Sequence, residues 1–296
     1  MQRRPAYRCG MRKQATSPAD GNEGQHPGAV SRTVLRDRNG PAESARDLIA
    51  TEVPVAFVYN DVSFAVMMAT PHDLEDFALG FSLGEGLVGS AGELRIDAID
   101  TSLEGVTLRL RIPAERASVL EQRQRNLQGR SGCGLCGTAS IEAVLRPPPP
   151  VRADPRIQTS AIARALRELQ ARQPLNVLTG ATHAAGWAGR DGAIALVRED
   201  VGRHNALDKL VGALVAAGIE TDAGFVVVTS RASYEMVMKT AQAGIALLVA
   251  ISAPTALAIA LAESARLTLV GFARDDGHVV YSHPHQLLDL PAASVA

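Results

Sequence analysis

The chain has 296 residues, 46% of them hydrophobic, and 30 Lys and Arg against 31 Asp and Glu leave a net charge of −1. That length buries one large core or two modest ones, and near-neutrality with only 4% aromatics excludes a surface that attracts nucleic acid by its field or by base stacking. Three cysteines make no disulfide framework and point to a reducing compartment, the cytoplasm, while the most apolar stretch, residues 245–251, is too short to span a bilayer.

Residues 1–30 read as an unstructured tail. Arg3, Arg4, Arg8, Arg12 and Lys13 are followed by Pro, Gly, Asn and Gln rather than by an apolar run, so the pattern is not a secretory signal. Cys9 goes with the tail. Residues 31–128 predict a small α+β domain. Two strands, 52–59 and 62–69, meet at a tight turn, Asn60-Asp61. Thr70 is placed to cap a helix, with Pro71 at its first position, Asp73 facing its positive end and Leu74, Phe77, Ala78 and Phe81 as its apolar stripe. His72 reads as a solvated first-turn residue. Strands at 94–99 and 106–112 turn at Glu104-Gly105, and alternate apolar residues in 108–112 bury one face. Residues 113–128 read as a charged helix.

Residues 129–150 hold a cysteine loop and a linker. In Gly129-Arg130-Ser131-Gly132-Cys133-Gly134-Leu135-Cys136-Gly137, four glycines frame and separate two thiols. Glycine bends freely. A thiolate on such a loop can attack an S–S bond through a mixed intermediate, and a second thiol can then free the outer sulfur. Half of a zinc site, a thioredoxin-type pair and a plain flexible loop are the alternatives. A closed zinc site needs four ligands, and Cys9, His183 and His204 stand in no metal-binding context. Residues 121–126 are not the buried strand that precedes a thioredoxin-type pair. The glycine frame favours sulfur chemistry without structural zinc. Thr138 or Ser140 caps a short helix, 141–145, whose amino end would favour a thiolate at Cys136. Four prolines, 147–150, then force an extended linker.

In residues 151–296 helix patterns (160–172, 205–217, 233–243, 254–265) alternate with strand patterns (193–197, 226–229, 246–251, 267–272, 279–281). Such alternation predicts an α/β fold, a largely parallel sheet covered by helices. Ligands of such sheets lie beyond the carboxyl ends of the strands, where Glu199-Asp200, Ser230-Arg231, Ser252 and Arg274 stand. Arg231 and Arg274 are planar forks next to helix starts with free N–H groups, so an anionic, phosphorylated ligand is expected. The plain alternative is that these are caps and solvated turn residues, Ser252 before Pro254 and His204 in Gly202-Arg203-His204-Asn205 among them. G-x-x-x-x-G-K-[ST] does not occur, and the G-x-G-x-x-G spacing of Gly132 to Gly137 belongs to the cysteine loop and follows no strand pattern, so neither nucleotide loop is supported.

Several runs carry a resemblance: Glu52-Val53-Pro54; Thr70-Pro71 with Gly80-Phe81 and Glu85-Gly86; Gly132 to Gly137; Thr182-His183-Ala184-Ala185; and the long run from Glu199 to Lys209. Ser230-Arg231-Ala232-Ser233-Tyr234-Glu235-Met236, Ser252-Ala253-Pro254-Thr255 and Leu269-Val270-Gly271-Phe272 complete the set. On these residues the chain resembles the FdhD family of formate dehydrogenase accessory sulfurtransferases. The resemblance implies a cytidine-deaminase-like fold with a smaller domain, and a homodimer. It implies sulfur received as a persulfide from a cysteine desulfurase and passed to the molybdenum bis-molybdopterin guanine dinucleotide cofactor of formate dehydrogenase. The persulfide position maps onto Cys133, with Cys136 as its companion. The cofactor segment maps onto Phe272-Ala273-Arg274-Asp275-Asp276-Gly277, beside Ser230 and Arg231. The alternative function is a chaperone that holds the molybdenum cofactor for apo-formate dehydrogenase without sulfur chemistry. A zinc deaminase fails on sequence, because the H-x-E and P-C-x-x-C pairing is absent.

Overall fold

The computed structural model describes residues 28–37, 40–116, 120, 148 and 150–290. Cys9, the cysteine loop with Cys133 and Cys136, and the helix expected at 141–145 lie outside the described residues. So does nearly all of the helix expected at 113–128, of which a short 3-10 turn, Ala114–Arg116, is seen.

Strand structure begins inside the stretch expected to be a tail. β1 (Ala29–Arg36) and β2 (Glu43–Ala50) pair antiparallel as a two-stranded ribbon. Most of their side chains are exposed, so no apolar alternation marks them in the sequence. β3 (Val53–Tyr59), β4 (Val62–Ala69), β5 (Arg95–Thr101) and β6 (Val106–Arg111) form a four-stranded sheet in the order β4-β3-β6-β5. The expected turn at Asn60-Asp61 is present, with φ of 49° and 67°, the positive values that a two-residue hairpin demands. Val55, Phe57 and Tyr59 share one buried face with Val106, Leu108 and Leu110, and α1 (Leu74–Gly84) lays Phe77, Ala78 and Phe81 on it. The Phe57 ring meets Phe77 edge-on at 5.1 Å between centroids.

The start of α1 departs from expectation. Its N-cap is Asp73, in a left-handed conformation and without a side-chain cap. Thr70 is used elsewhere, as described below; a long-range partner has outcompeted the local cap.

The second sheet holds β7 (His183–Gly189), β8 (Ile194–Asp200), β9 (Gly224–Val228), β10 (Leu247–Ala250), β11 (Thr268–Arg274) and β12 (Gly277–Ser282), in the order β12-β11-β10-β9-β7-β8. It is mixed rather than mostly parallel, which corrects the reading of the sequence. Only β9–β10 and β10–β11 pair parallel; β7–β8, β7–β9 and β11–β12 are antiparallel. The physical reason lies in the connections. Residues 190–193 and 275–276 are far too short for the crossover that a parallel neighbour requires, so each closes a hairpin.

α2 (Thr159–Ala171), α3 (Pro174–Thr179), α4 (Arg203–Ala216), α5 (Tyr234–Gln242) and α6 (Ala256–Ser264) are the other α-helices of the described residues. Alternation along the central strands supplies two cores. Val226, Val228, Leu248 and Leu269 face α4, α5 and α6. Phe225, Val227, Val249 and Val270 face Ile162, Leu166 and Leu169 of α2. α1 crosses α4 so closely that a Cβ on Gly80 would fall 1.7 Å from the Asp208 carbonyl oxygen, and one on Gly212 1.9 Å from that of Asp76. Among the described residues, no helix is long and apolar enough to cross a membrane.

Candidate functional site

The pairings orient β8, β9, β10 and β11 in one direction, so their carboxyl ends share one edge of the sheet, where β7 begins. Much of the run from Glu199 to Lys209 is spent on holding that edge together. The Lys209 Nζ lies 2.7 Å from Asp200 Oδ2, with both side chains fully buried. It also donates to the Thr70 carbonyl at 2.9 Å. Asp200 accepts further from the backbone N–H groups of Thr70 and Gly202 and from Asn205 Nδ2, and Asn205 reaches across to the Met68 carbonyl. The Thr70 hydroxyl accepts from the Val201 N–H. Burial pushes the Lys209 ammonium down from its ordinary pKa, and the Asp200 charge opposes that shift. One buried ion pair thus joins the end of β4, at one side of the four-stranded sheet, to the edge of the six-stranded sheet.

Two neighbouring carboxylates are structural as well. Glu199 accepts from the Leu175 and Asn176 N–H groups at 2.9 and 2.7 Å, satisfying the amino end of α3, and from the Thr182 hydroxyl. Asp208 accepts twice from Lys239, at 2.8 and 2.9 Å. Burial works against the Lys239 charge, but Asp208 and Glu85 outweigh it and hold the ammonium protonated. This pair floors a cavity of about 310 Å³ between α1, α4 and α5; its charges satisfy one another.

Beside these pairs stand His183, Arg203, His204, Ser233 and Glu235, all partly buried. His183, the first residue of β7, stands opposite Asp200, the last of β8. Burial, with the positive charges of Arg203 and His204, holds its imidazole below the ordinary range. The His204 Nε2 lies 3.5 Å from Ser233 Oγ and 3.7 Å from Glu235 Oε2, and Ser233 donates to Glu235 at 2.7 Å. Burial pushes the Glu235 carboxyl up, yet the hydrogen bonds from His204, Ser233 and its own backbone N–H prevail and lower it to about 2. A depressed carboxyl stabilises the fold above its ordinary value of 4.5, and that stabilisation is lost as pH falls through about 2. Acid unfolding monitored from pH 4.5 downward should therefore be steeper in the wild type than in Glu235→Gln; equal slopes would contradict the bonded arrangement.

The residues expected to hold a cofactor are distributed along the same edge. Ser230 is buried after β9 and donates to the Arg231 carbonyl at 3.0 Å, while the Arg231 side chain is exposed. Ser252 follows β10, and its carbonyl accepts from the Phe272 N–H at 3.2 Å. Residues 272–277 span the irregular end of β11, the turn 275–276 and the first residue of β12. Phe272 is 48% exposed at φ 50°, Ala273 is buried, and Asp275-Asp276 make the turn that Gly277 closes at φ 155°. The Arg274 guanidinium folds back on the backbone, with Nη1 donating to the carbonyls of Ile251 and Ala273. Asp275 faces Arg167 at 3.9 Å, both exposed. Ser230, Arg231, Ser252 and Arg274 thus lie beyond three adjacent strands, as the carboxyl-end rule anticipates. From the sequence His183 is weighed only as a zinc partner and Arg203 is given no role of its own, although both lie in runs that carry the family resemblance.

A mixed α/β sheet with ionisable side chains gathered at one carboxyl edge is the frame on which α/β proteins present ligand-binding residues. Known proteins of this frame match the chain closely. The FdhD/NarQ family profile matches residues 50–288. The sulfur carrier protein FdhD of Xanthomonas campestris pv. campestris is 64% identical over 267 residues, covering 90% of this chain and 95% of that one. The protein of the same description from Cupriavidus necator is 53% identical over 280 residues, covering 95% and 97%. A crystal structure from Desulfotalea psychrophila, described as a formate dehydrogenase accessory protein, aligns with a TM-score of 0.69 at 26% identity, over 88% of this chain and all of that one. The chain belongs to the FdhD/NarQ family.

Proposed function

We propose that the protein is a cytoplasmic, homodimeric sulfur carrier that takes sulfur from a cysteine desulfurase and delivers it to the molybdenum bis-molybdopterin guanine dinucleotide cofactor required by formate dehydrogenase. The observation that carries this reading is the glycine-framed pair Cys133 and Cys136 in a chain 64% identical to a protein named a sulfur carrier. The Cys133 thiolate attacks the outer sulfur of the desulfurase persulfide. The S–S bond breaks, the donor cysteine leaves as thiolate, and Cys133 becomes the persulfide. Attack of the Cys136 thiolate on the Cys133 sulfur then releases hydrosulfide to the cofactor. The resulting Cys133–Cys136 disulfide is reset by a dithiol reductant. Ser230, Arg231 and the segment 272–277 would receive the anionic cofactor, and the mixed sheet with its helical cover is compatible with a deaminase-like frame.

Incubation with a desulfurase and cysteine should add sulfur to the intact mass of the wild type but not of Cys133→Ser. The same variant should leave formate dehydrogenase inactive in cells. Full dehydrogenase activity with serine at both 133 and 136 would leave the cofactor-holding chaperone as the correct reading.

A further inference from the structure

Arg203 is the one guanidinium of the described residues with a buried, unpartnered Nε. It occupies the first position of α4 and makes no ion pair with a described carboxylate. A buried N–H donor without an acceptor costs free energy, and a guanidinium is always charged. His183 and His204 are close enough that their charges and that of Arg203 disfavour one another. Two carboxylates of this edge are engaged: Asp200 by Lys209, Thr70, Gly202 and Asn205, and Glu235 by Ser233 and His204. All three cation-capable side chains are partly exposed, so a small solute can reach them.

We propose that Arg203, His183 and His204 form an oxyanion site where β7 meets α4, taking a phosphoryl group such as the diphosphate of a nucleotide. Three donors carried on two elements match the several oxygens of a phosphate better than the two of a carboxylate. The site lies across the sheet edge from Arg274, whose guanidinium already bonds the Ile251 and Ala273 carbonyls. The identity of the arriving phosphate rests on the cofactor reading above; the site itself does not, because inorganic pyrophosphate would use the same donors.

The test is calorimetric titration of the full-length protein with GDP, inorganic pyrophosphate and guanosine. Arg203→Gln should weaken GDP and pyrophosphate roughly tenfold or more, the loss typical of one charge-assisted contact. His183→Gln should weaken both in the same direction, Arg203→Lys should fall between, and guanosine binding should not change with any of them. Circular dichroism checks that each variant is folded. If Arg203→Gln does not fold, His183→Gln decides the matter by the same criterion. Tight GDP binding by the wild type that neither variant alters would overturn the site while leaving the cofactor reading intact. Arg203-dependent binding of pyrophosphate but not GDP would support the site and count against the cofactor reading. A wild type that binds neither ligand would overturn the site.

Discussion

Lys209→Met should destabilise the protein by about 3–5 kcal/mol, the typical cost of removing one partner of a buried ion pair. The Lys209 and Asp200 side chains are fully excluded from solvent, 2.7 Å apart. Without the ammonium, Asp200 keeps the donors Thr70, Gly202 and Asn205 but must hold its charge without a counter-ion. The Thr70 carbonyl keeps the His72 N–H but loses the Lys209 donor, so the contact between the end of β4 and α4 weakens. Urea unfolding measures the loss. The double variant Asp200→Asn with Lys209→Met should recover part of it, because the unpaired charge is gone. A single variant within 1 kcal/mol of wild type, about the size of an ordinary surface effect, would show that the pair is not what ties the two sheets together.

Gly80→Ala should be comparably severe, although alanine is the better helix former by about 1 kcal/mol. Its Cβ would stand 1.7 Å from the backbone carbonyl oxygen of Asp208 and 2.8 Å from the Gly212 nitrogen. Neither obstacle is a flexible side chain, so α1 and α4 must separate, and overpacking of that kind costs about 1–3 kcal/mol or more. Gly84→Ala is the control on the same helix. Its Cβ would meet the side-chain ends of Lys239 and Asp208 at 3.1 and 3.2 Å, which can yield. Thermal unfolding should rank Gly84→Ala near wild type and Gly80→Ala far below it. Similar stabilities for the two would refute the close crossing.

The parts of the fold that were legible in the sequence were those with a local signature. Alternating apolar residues marked β3 and β6, and the Asn60-Asp61 turn needed only its own two residues. Helical spacing of Ile162, Leu166 and Leu169 marked α2, and the glycine just beyond α4, Gly218, marked its end. β7 was missed because its segment, His-Ala-Ala-Gly-Trp-Ala-Gly, contains no β-branched residue. With β7 unseen, the sheet read as parallel, since β8, β9, β10 and β11 do share one direction.

By itself the sequence determined the chemistry available: two thiols in a glycine frame, arginines after strands, and runs specific enough to identify a family. It also determined which residues could be apolar faces, because burial of a period-2 or period-3.6 stripe depends on near neighbours alone. Only the tertiary structure decided how the charged residues are used. Asp200, Lys209, Asp208 and Lys239 would each read as solvated, since an isolated charge is rarely buried. They are buried here because the fold brings counter-charges to them, Lys239 to Asp208 and Lys209 to Asp200, with Thr70 bonded to both members of the second pair. The same long-range pairing removes Thr70 from its expected cap and takes Asp200 out of the site. Arg203 is left without a carboxylate partner among the described residues, while His204 and Ser233 share Glu235, a consequence of three-dimensional pairing that no local pattern encodes.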